Sequence, residues 1–158
     1  MSLFPGPTVY CFDTSAWIDL WRRKYPRETF VTLWRNVEEG IAKGEIVTPD
    51  AVLFELDRQD DELARWIRQQ AVRRPGFVVA SDPGIQREAK ALIQQYGVRN
   101  DADPFRVGAA YVRHFTVVSS EKRSDYPRER PKLPNLCEFL KVRCIGLLDV
   151  FREKNWTF

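Results

Sequence analysis

A chain of 158 residues with 44% apolar and 30% charged content is long enough for one self-standing core, and a single domain over 1–158 is expected. No run of 18 apolar residues occurs, and the N-terminus lacks a basic start followed by an apolar core, so neither a membrane span nor a secretion signal is predicted. Formal net charge is +3 with a sequence pI near 8.8, which permits a nucleic-acid partner without demanding one. Three cysteines without CxxC spacing and a lone histidine make a poor zinc set and fit free thiols in a reducing cytoplasm.

In chain order, TVYCF at 8–12 reads as a buried strand ending at Asp13. Ser15 is suited to cap a helix over about 16–24 that carries Trp17, Leu20 and Trp21, and Tyr25-Pro26 breaks it. A helix over about 27–43 follows, with Phe30, Leu33, Trp34, Val37 and Ile41 at helical spacing and Gly44 as its stop. After a short strand at Ile46-Val47, Thr48 and Pro49 read as cap and first helical residue of a helix bearing Val52, Glu55 and Leu56. A helix over about 62–73 has Leu63, Trp66, Ile67 and Ala71 as its stripe. Phe77 to Ala80 is a strand. Ser81-Asp82-Pro83 opens a helix that Gly97 closes. A further helix starts at Asp103-Pro104, and Phe115 to Val118 is a strand. Residues 122–136 have no periodicity, and Pro127, Pro131 and Pro134 predict a loop. Val142 to Ile145 and Leu147 to Lys154 close the chain as strand and helix. Strands alternating with amphipathic helices predict an α/β fold with a mostly parallel sheet covered on both faces. No Gly-rich phosphate loop occurs, which removes most nucleotide-triphosphate and dinucleotide enzymes.

Four acidic residues stand out by position. Asp13 ends the first strand, Glu55 lies inside a helix, Asp103 opens the small-residue helix DADPFRVGAA, and Glu121 ends FTVVSSE. Three of them sit at strand ends or helix starts, where a parallel α/β fold has its ligand crevice. Each has a plainer reading: Asp13 and Asp103 as helix caps, Glu55 as a surface stem with its head in water, and Glu121 as a loop residue. Asp101 is a rival to Asp103. Taken together, separated carboxylates converging on one crevice suit a hard cation, Mg²⁺ or Mn²⁺, and leave open whether one or two are bound. Ser119 can support the carboxylates from outside the ligand set.

The ordered set CFDTSAWIDL, Glu55 after IVTP, ADPF–V–A and VVSSE resembles the PIN domain. More narrowly it is similar to the VapC-like toxin ribonucleases and to a PIN-related family of uncharacterised proteins with the same FDTS–W–D–W start. The resemblance covers nearly the whole chain. It implies a three-layer α/β/α sandwich around a central parallel sheet and a Mg²⁺- or Mn²⁺-dependent endoribonuclease. It places the acidic positions on Asp13, Glu55, Asp103 and Glu121, with Ser119 as the associated hydroxyl. It also implies RNA as substrate, a protein antitoxin as partner and a homodimer as one possible assembly. Trp17, Trp21 and Trp34 are candidates for an antitoxin groove.

Three departures from the pattern stand out. The last acid is glutamate where aspartate is usual, Arg106 stands where an apolar residue is expected, and 122–140 is longer and more basic than in compact PIN toxins. Lys122, Arg123, Arg128, Arg130 and Lys132 in that segment are candidates for RNA phosphate contacts. The rival readings are a structure-selective DNA nuclease and a PIN-like binding module without catalysis.

Overall fold

A computed structural model of the chain describes residues 6–59, 61–95, 97 and 106–158, with the side chain of Ile85 excepted. Five short strands, β1 (Tyr10–Phe12), β2 (Ile46–Pro49), β3 (Val78–Val79), β4 (Thr116–Val118) and β5 (Cys144–Ile145), pair in the order β3-β2-β1-β4-β5, every pair parallel. Tyr10 aligns with both Ile46 and Thr116, so the first strand is central and has a neighbour on each side. Between the strands run α1 (Thr14–Ile18), α2 (Val31–Ala42), α3 (Asp50–Asp57), α4 (Glu62–Arg73), α5 (Pro83–Gln95), α6 (Gly108–Arg113), α7 (Leu133–Leu140) and α8 (Leu147–Glu153). Among the described residues no helix is long and apolar enough to cross a membrane.

The two-residue period of a strand divides the core. Tyr10, Phe12, Ile46 and Val118 pack with Trp17, Leu33, Val52, Leu56, Ile67, Val150 and Phe151, so α1 to α4 and α8 cover one face. Cys11, Val47, Val79 and Val117 point the other way, where Ile93, Ala110, Leu136 and Leu140 bring α5, α6 and α7. The result is the expected α/β fold: a three-layer α/β/α sandwich around a parallel sheet.

Several local expectations are corrected. Helix α1 begins at Thr14 with Asp13 in the cap position, so Ser15 lies inside its first turn. It runs on directly into a π-helical turn, Asp19–Arg23. Thr48 and Pro49 belong to β2, and Pro49 rather than Thr48 occupies the cap position of α3. Thr48 is fully buried. Its hydroxyl donates to the Phe12 carbonyl at 2.7 Å and accepts from Trp17 Nε1 at 3.2 Å. Helix α7 begins at Leu133, earlier than the predicted 122–136 loop allows, because Pro134 sits in its first turn, where no backbone donor is required. Gly44 does stop α2. It takes φ +73°, while Glu45 N–H donates to Gly40 O at 2.9 Å and Gly44 N–H to Ile41 O at 3.1 Å, the paired bonds of a left-handed helix end.

Of the tryptophans expected to form an antitoxin groove, Trp17 is a core residue, whereas Trp21 and Trp34 line a cavity of about 770 Å³ together with Arg27, Val31 and Arg35. Trp17 is completely buried and Trp34 nearly so. Trp17 meets Phe12, Trp66 and Phe77 at ring-centroid separations of 4.8, 5.7 and 6.0 Å, and Trp34 meets Trp66 at 5.2 Å. Trp21 is half-buried against Trp34, with the Arg27 guanidinium 5.3 Å from its ring centroid. Such contacts add about 0.5–1.5 kcal/mol each beyond the area buried, which is reason enough for the aromatic load.

Thr48→Val keeps the shape of the side chain and removes the bonds that tie β1, β2 and α1 together. It is expected to lower stability by about 1–3 kcal/mol by leaving buried groups unpaired. Urea unfolding checks this: the midpoint should fall with an unchanged m value.

Candidate functional site

The strand order reverses at β1 and β4, which opens a crevice beyond their C-terminal ends. Strand β1 exits into α1 on one face, and β4 exits through a loop into α7 on the other. Asp13 follows β1 directly and is 3% exposed. Its backbone N–H donates to Val118 O at 2.9 Å, which fixes it against the end of β4. As the residue at the α1 cap it makes no side-chain capping bond, so both oxygens are turned elsewhere.

They meet Arg106. Arg106 Nε donates to Asp13 Oδ1 at 3.0 Å, and Nη2 donates to Asp13 Oδ2 at 2.6 Å and to Glu121 Oε1 at 2.6 Å. The guanidinium thus grips one carboxylate with two nitrogens and shares the second nitrogen with another. Glu121 Oε2 accepts the Leu133 N–H at 3.0 Å, so the acid also holds the start of α7. Burial opposes ionisation of Glu121. The Arg106 and Leu133 hydrogen bonds and the charges of Arg106 and Lys132 outweigh it and hold the carboxyl below its ordinary range. Burial likewise opposes the charge on Arg106, and its bonds to Asp13 and Glu121 reverse that and raise its pKa.

Three serines bind this end of the sheet together. Ser15 Oγ donates to Asp13 Oδ2 at 3.1 Å and lies 3.1 Å from Ser119 Oγ, and the Ser120 N–H donates to Ser15 Oγ at 3.0 Å. Ser119 Oγ accepts the Glu121 N–H at 3.1 Å, so the predicted supporting hydroxyl turns the chain toward Glu121. Asp19, in the π-helical turn, adds a buried acid. Burial raises its pKa, but a hydrogen bond from Ser120 and the charges of Lys24 and Arg23 leave it net lowered.

Glu55 is exposed, as its plainer reading as a surface side chain expects, and accepts the Thr14 hydroxyl at 2.8 Å. Because Thr14 adjoins Asp13, that bond brings the head of Glu55 to the rim of the crevice. It shares a cavity of about 550 Å³ with Arg106. Asp103 and its rival Asp101 lie outside the described residues.

All five basic candidates, Lys122, Arg123, Arg128, Arg130 and Lys132, are exposed. Their segment is anchored by fully buried Asn135, whose Oδ1 accepts the N–H of Ser124 and of Lys132, each at 2.9 Å. Arg123 pairs with Glu138 at 2.7 Å, and Arg130 lies over Tyr126, 5.4 Å from the ring centroid.

A family model described as a domain of unknown function, DUF4411, matches residues 10–158. The chain belongs to that family. No curated protein matches it. In this DUF4411 chain the matched region includes both carboxylates of the crevice and Arg106.

Among the described residues no three His, Cys, Asp or Glu side chains form a metal-binding group. Two carboxylates do converge, since Asp13 Oδ2 and Glu121 Oε1 lie at equal distance from one nitrogen. A hard cation takes oxygen donors at roughly 2.0–2.6 Å. The two carboxylates are oxygen donors of the kind such an ion takes, and the Arg106 guanidinium lies between them.

Arg106 is the residue that sequence reasoning missed. The signal was its presence at an apolar position of a small-residue motif, read there only as a departure.

The pH dependence of stability should carry the mark of Glu121. Its folded pKa lies below its ordinary value of 4.5. Its pairing therefore stabilises above the unfolded range and is lost as pH falls through the lower folded value. Urea midpoints measured from pH 7 down to pH 3 should show Glu121→Gln less stable at neutral pH, with the gap closing under acid.

Proposed function

We propose that this chain is a metal-dependent endoribonuclease that hydrolyses RNA phosphodiester bonds, built on a PIN-like plan. The observation that carries the reading is the convergence of Asp13 and Glu121 on one cation-filled point at the switch in strand order. The ordered acidic motifs support it, since their resemblance to PIN domains implies the same chemistry on the same residues. Following that resemblance, the chain would be the toxin of a toxin–antitoxin pair.

Asp13 and Glu121 would hold Mg²⁺ or Mn²⁺, with Asp103 as the third carboxylate of the motif and Glu55 at the rim. The ion's contribution would be to lower the pKa of an attacking water and to offset charge gathering on the phosphoryl oxygens. The rest falls to the chain. Asp13 is pinned at both oxygens by Ser15 and Arg106, so its geometry is set before any ligand arrives. Arg106 sets a positive charge between two carboxylates at short range and so offsets their mutual repulsion. Released from them, its planar fork matches a phosphate as well as a carboxylate and would clamp the scissile group. Glu55, exposed beside the same cavity, is placed to orient the attacking water or accept its proton. Exposed basic side chains of 122–132 would neutralise flanking phosphates.

The full chain incubated with single-stranded RNA should cleave it when Mn²⁺ or Mg²⁺ is added and stop when EDTA is added. Asp13→Asn should abolish cleavage with an unchanged circular dichroism spectrum. Cleavage at the parent rate by the folded variant, or none by the parent with either metal, overturns the reading.

A second measurement needs no turnover. Arg106→Ala leaves the buried Asp13 carboxylate without its cation and should cost on the order of 3 kcal/mol. Added Mn²⁺ should raise the unfolding temperature of this variant more than that of the parent, because the ion replaces the guanidinium. An equal response in both would argue against a metal at this point.

A further inference from the structure

Ala51, Phe54 and Glu55 of helix α3 and Arg58 at its C-cap follow at the spacing of one helical face. All four line the cavity of about 550 Å³ that Arg106 shares, together with Ser81 and Gln86. That volume is in the range of small-ligand sites. The opposite side of the helix does the packing: Val52 and Leu56 are completely buried. Phe54 has no such duty. It is 63% exposed, one of the largest apolar surfaces the molecule offers to water, and it lies on the wall of a cavity rather than on an open flank.

The polar groups around it divide into satisfied and available. Asp50 receives the Ser81 N–H at 2.8 Å and the Ser81 hydroxyl on its two oxygens, and Glu55 receives Thr14. Arg58, four residues beyond Phe54 and so beside it on the helix, is exposed and among the described residues forms no ion pair. An open aromatic face next to a cation is the combination a nucleotide uses, the ring taking the base and the guanidinium the phosphate.

We infer that Phe54 and Arg58 form a nucleotide subsite beside the carboxylate centre. One unstacked base of single-stranded RNA lies on the Phe54 ring while Arg58 holds an adjacent phosphate. The subsite rests on the ribonuclease reading for its substrate class. A base inside a duplex is already stacked on both faces, so the subsite selects single strands. The cavity runs from Arg106 to Phe54, so a strand with its scissile phosphate at the carboxylates presents its neighbouring nucleotide to the ring.

The test uses the full chain in EDTA, so that binding is read without cleavage. The probe is a single-stranded oligoribonucleotide carrying one 2-aminopurine, alongside the same strand with abasic positions and a duplex of the same sequence. The parent should bind the single strand best and quench the 2-aminopurine fluorescence. Phe54→Ala should weaken binding about five- to a hundredfold, the worth of one base stack, and lose the quench. Phe54→Trp should keep both. Arg58→Ala should reduce the slope of log affinity against log salt by about 0.7, and Phe54→Ala should leave that slope alone.

Unchanged affinity in Phe54→Ala, an equal loss for the abasic strand, or no binding of any strand by the parent overturns the subsite. So does a parent dimer in sedimentation that Phe54→Ala dissolves without changing RNA affinity, which would assign the ring to a second copy. The two readings fail separately. Strong, Phe54-dependent binding by a chain that never cleaves with Mn²⁺ keeps the subsite and removes the nuclease.

Discussion

One guanidinium organises the functional end of this molecule. Asp13 is 3% exposed, and a carboxylate so placed is costly unless a cation and donors meet it. Arg106 meets it with two nitrogens and spends one of them again on Glu121. The same acid holds the first residue of α7, so the end of β1, the end of β4 and the start of a helix on the far face are joined through a single planar group. The serines then fix the chain directions: Ser15 spans from Asp13 to Ser119 and Ser120, and Ser119 turns the backbone into Glu121. An acidic crevice of this kind would otherwise repel itself. Here its repulsion is balanced inside the chain, and the balancing charge is a ligand-competent one.

The layers of the fold were legible in the sequence because they depend on periodicity, which is local. Tyr10 and Phe12 against Cys11, or Val118 against Val117, separate onto two faces by simple alternation, and the helical stripes of Leu33, Val37 and Ile41 or of Leu63 and Ile67 follow their spacing. Polar residues were less legible for the opposite reason. Thr48 beside Pro49 satisfies every local rule for a helix cap, yet its partner is a carbonyl 36 positions earlier. Arg106 in a small-residue motif looks like a misfit until Asp13, 93 positions away, is beside it. A cap is chosen by its neighbours in sequence, and a buried ion pair by the topology that brings distant segments together.

The candidate site shows the same split. Asp13 and Glu121 were legible because both sit at the ends of apolar strands, and in a parallel sheet those ends converge wherever the strand order reverses. Ser119 was legible from its place in the same run. Glu55 has no strand end to place it, and what brings it to the crevice is the hydroxyl of Thr14. The tryptophans were offered as a groove because the resemblance implies an antitoxin partner. Their rings form a packed cluster with Phe12 and Phe77, and nothing in a count of aromatics distinguishes core from surface.

The central position of the first strand has a consequence for the chain as it is made. Strand β1 lies between β2, which begins at Ile46, and β4, which begins at Thr116. A nascent chain can lay β2 and β3 against one edge of β1 early, but the other edge stays unpaired until β4 has emerged. Asp13 is synthesised 108 residues before Glu121, and α7 follows later still. Half of the carboxylate centre therefore waits, exposed at a sheet edge, for the other half. Synthesis that stops before residue 121 leaves a chain with a partial sheet and without the Asp13–Arg106–Glu121 arrangement, so this carboxylate centre assembles only after β4 and the segment behind it have been made.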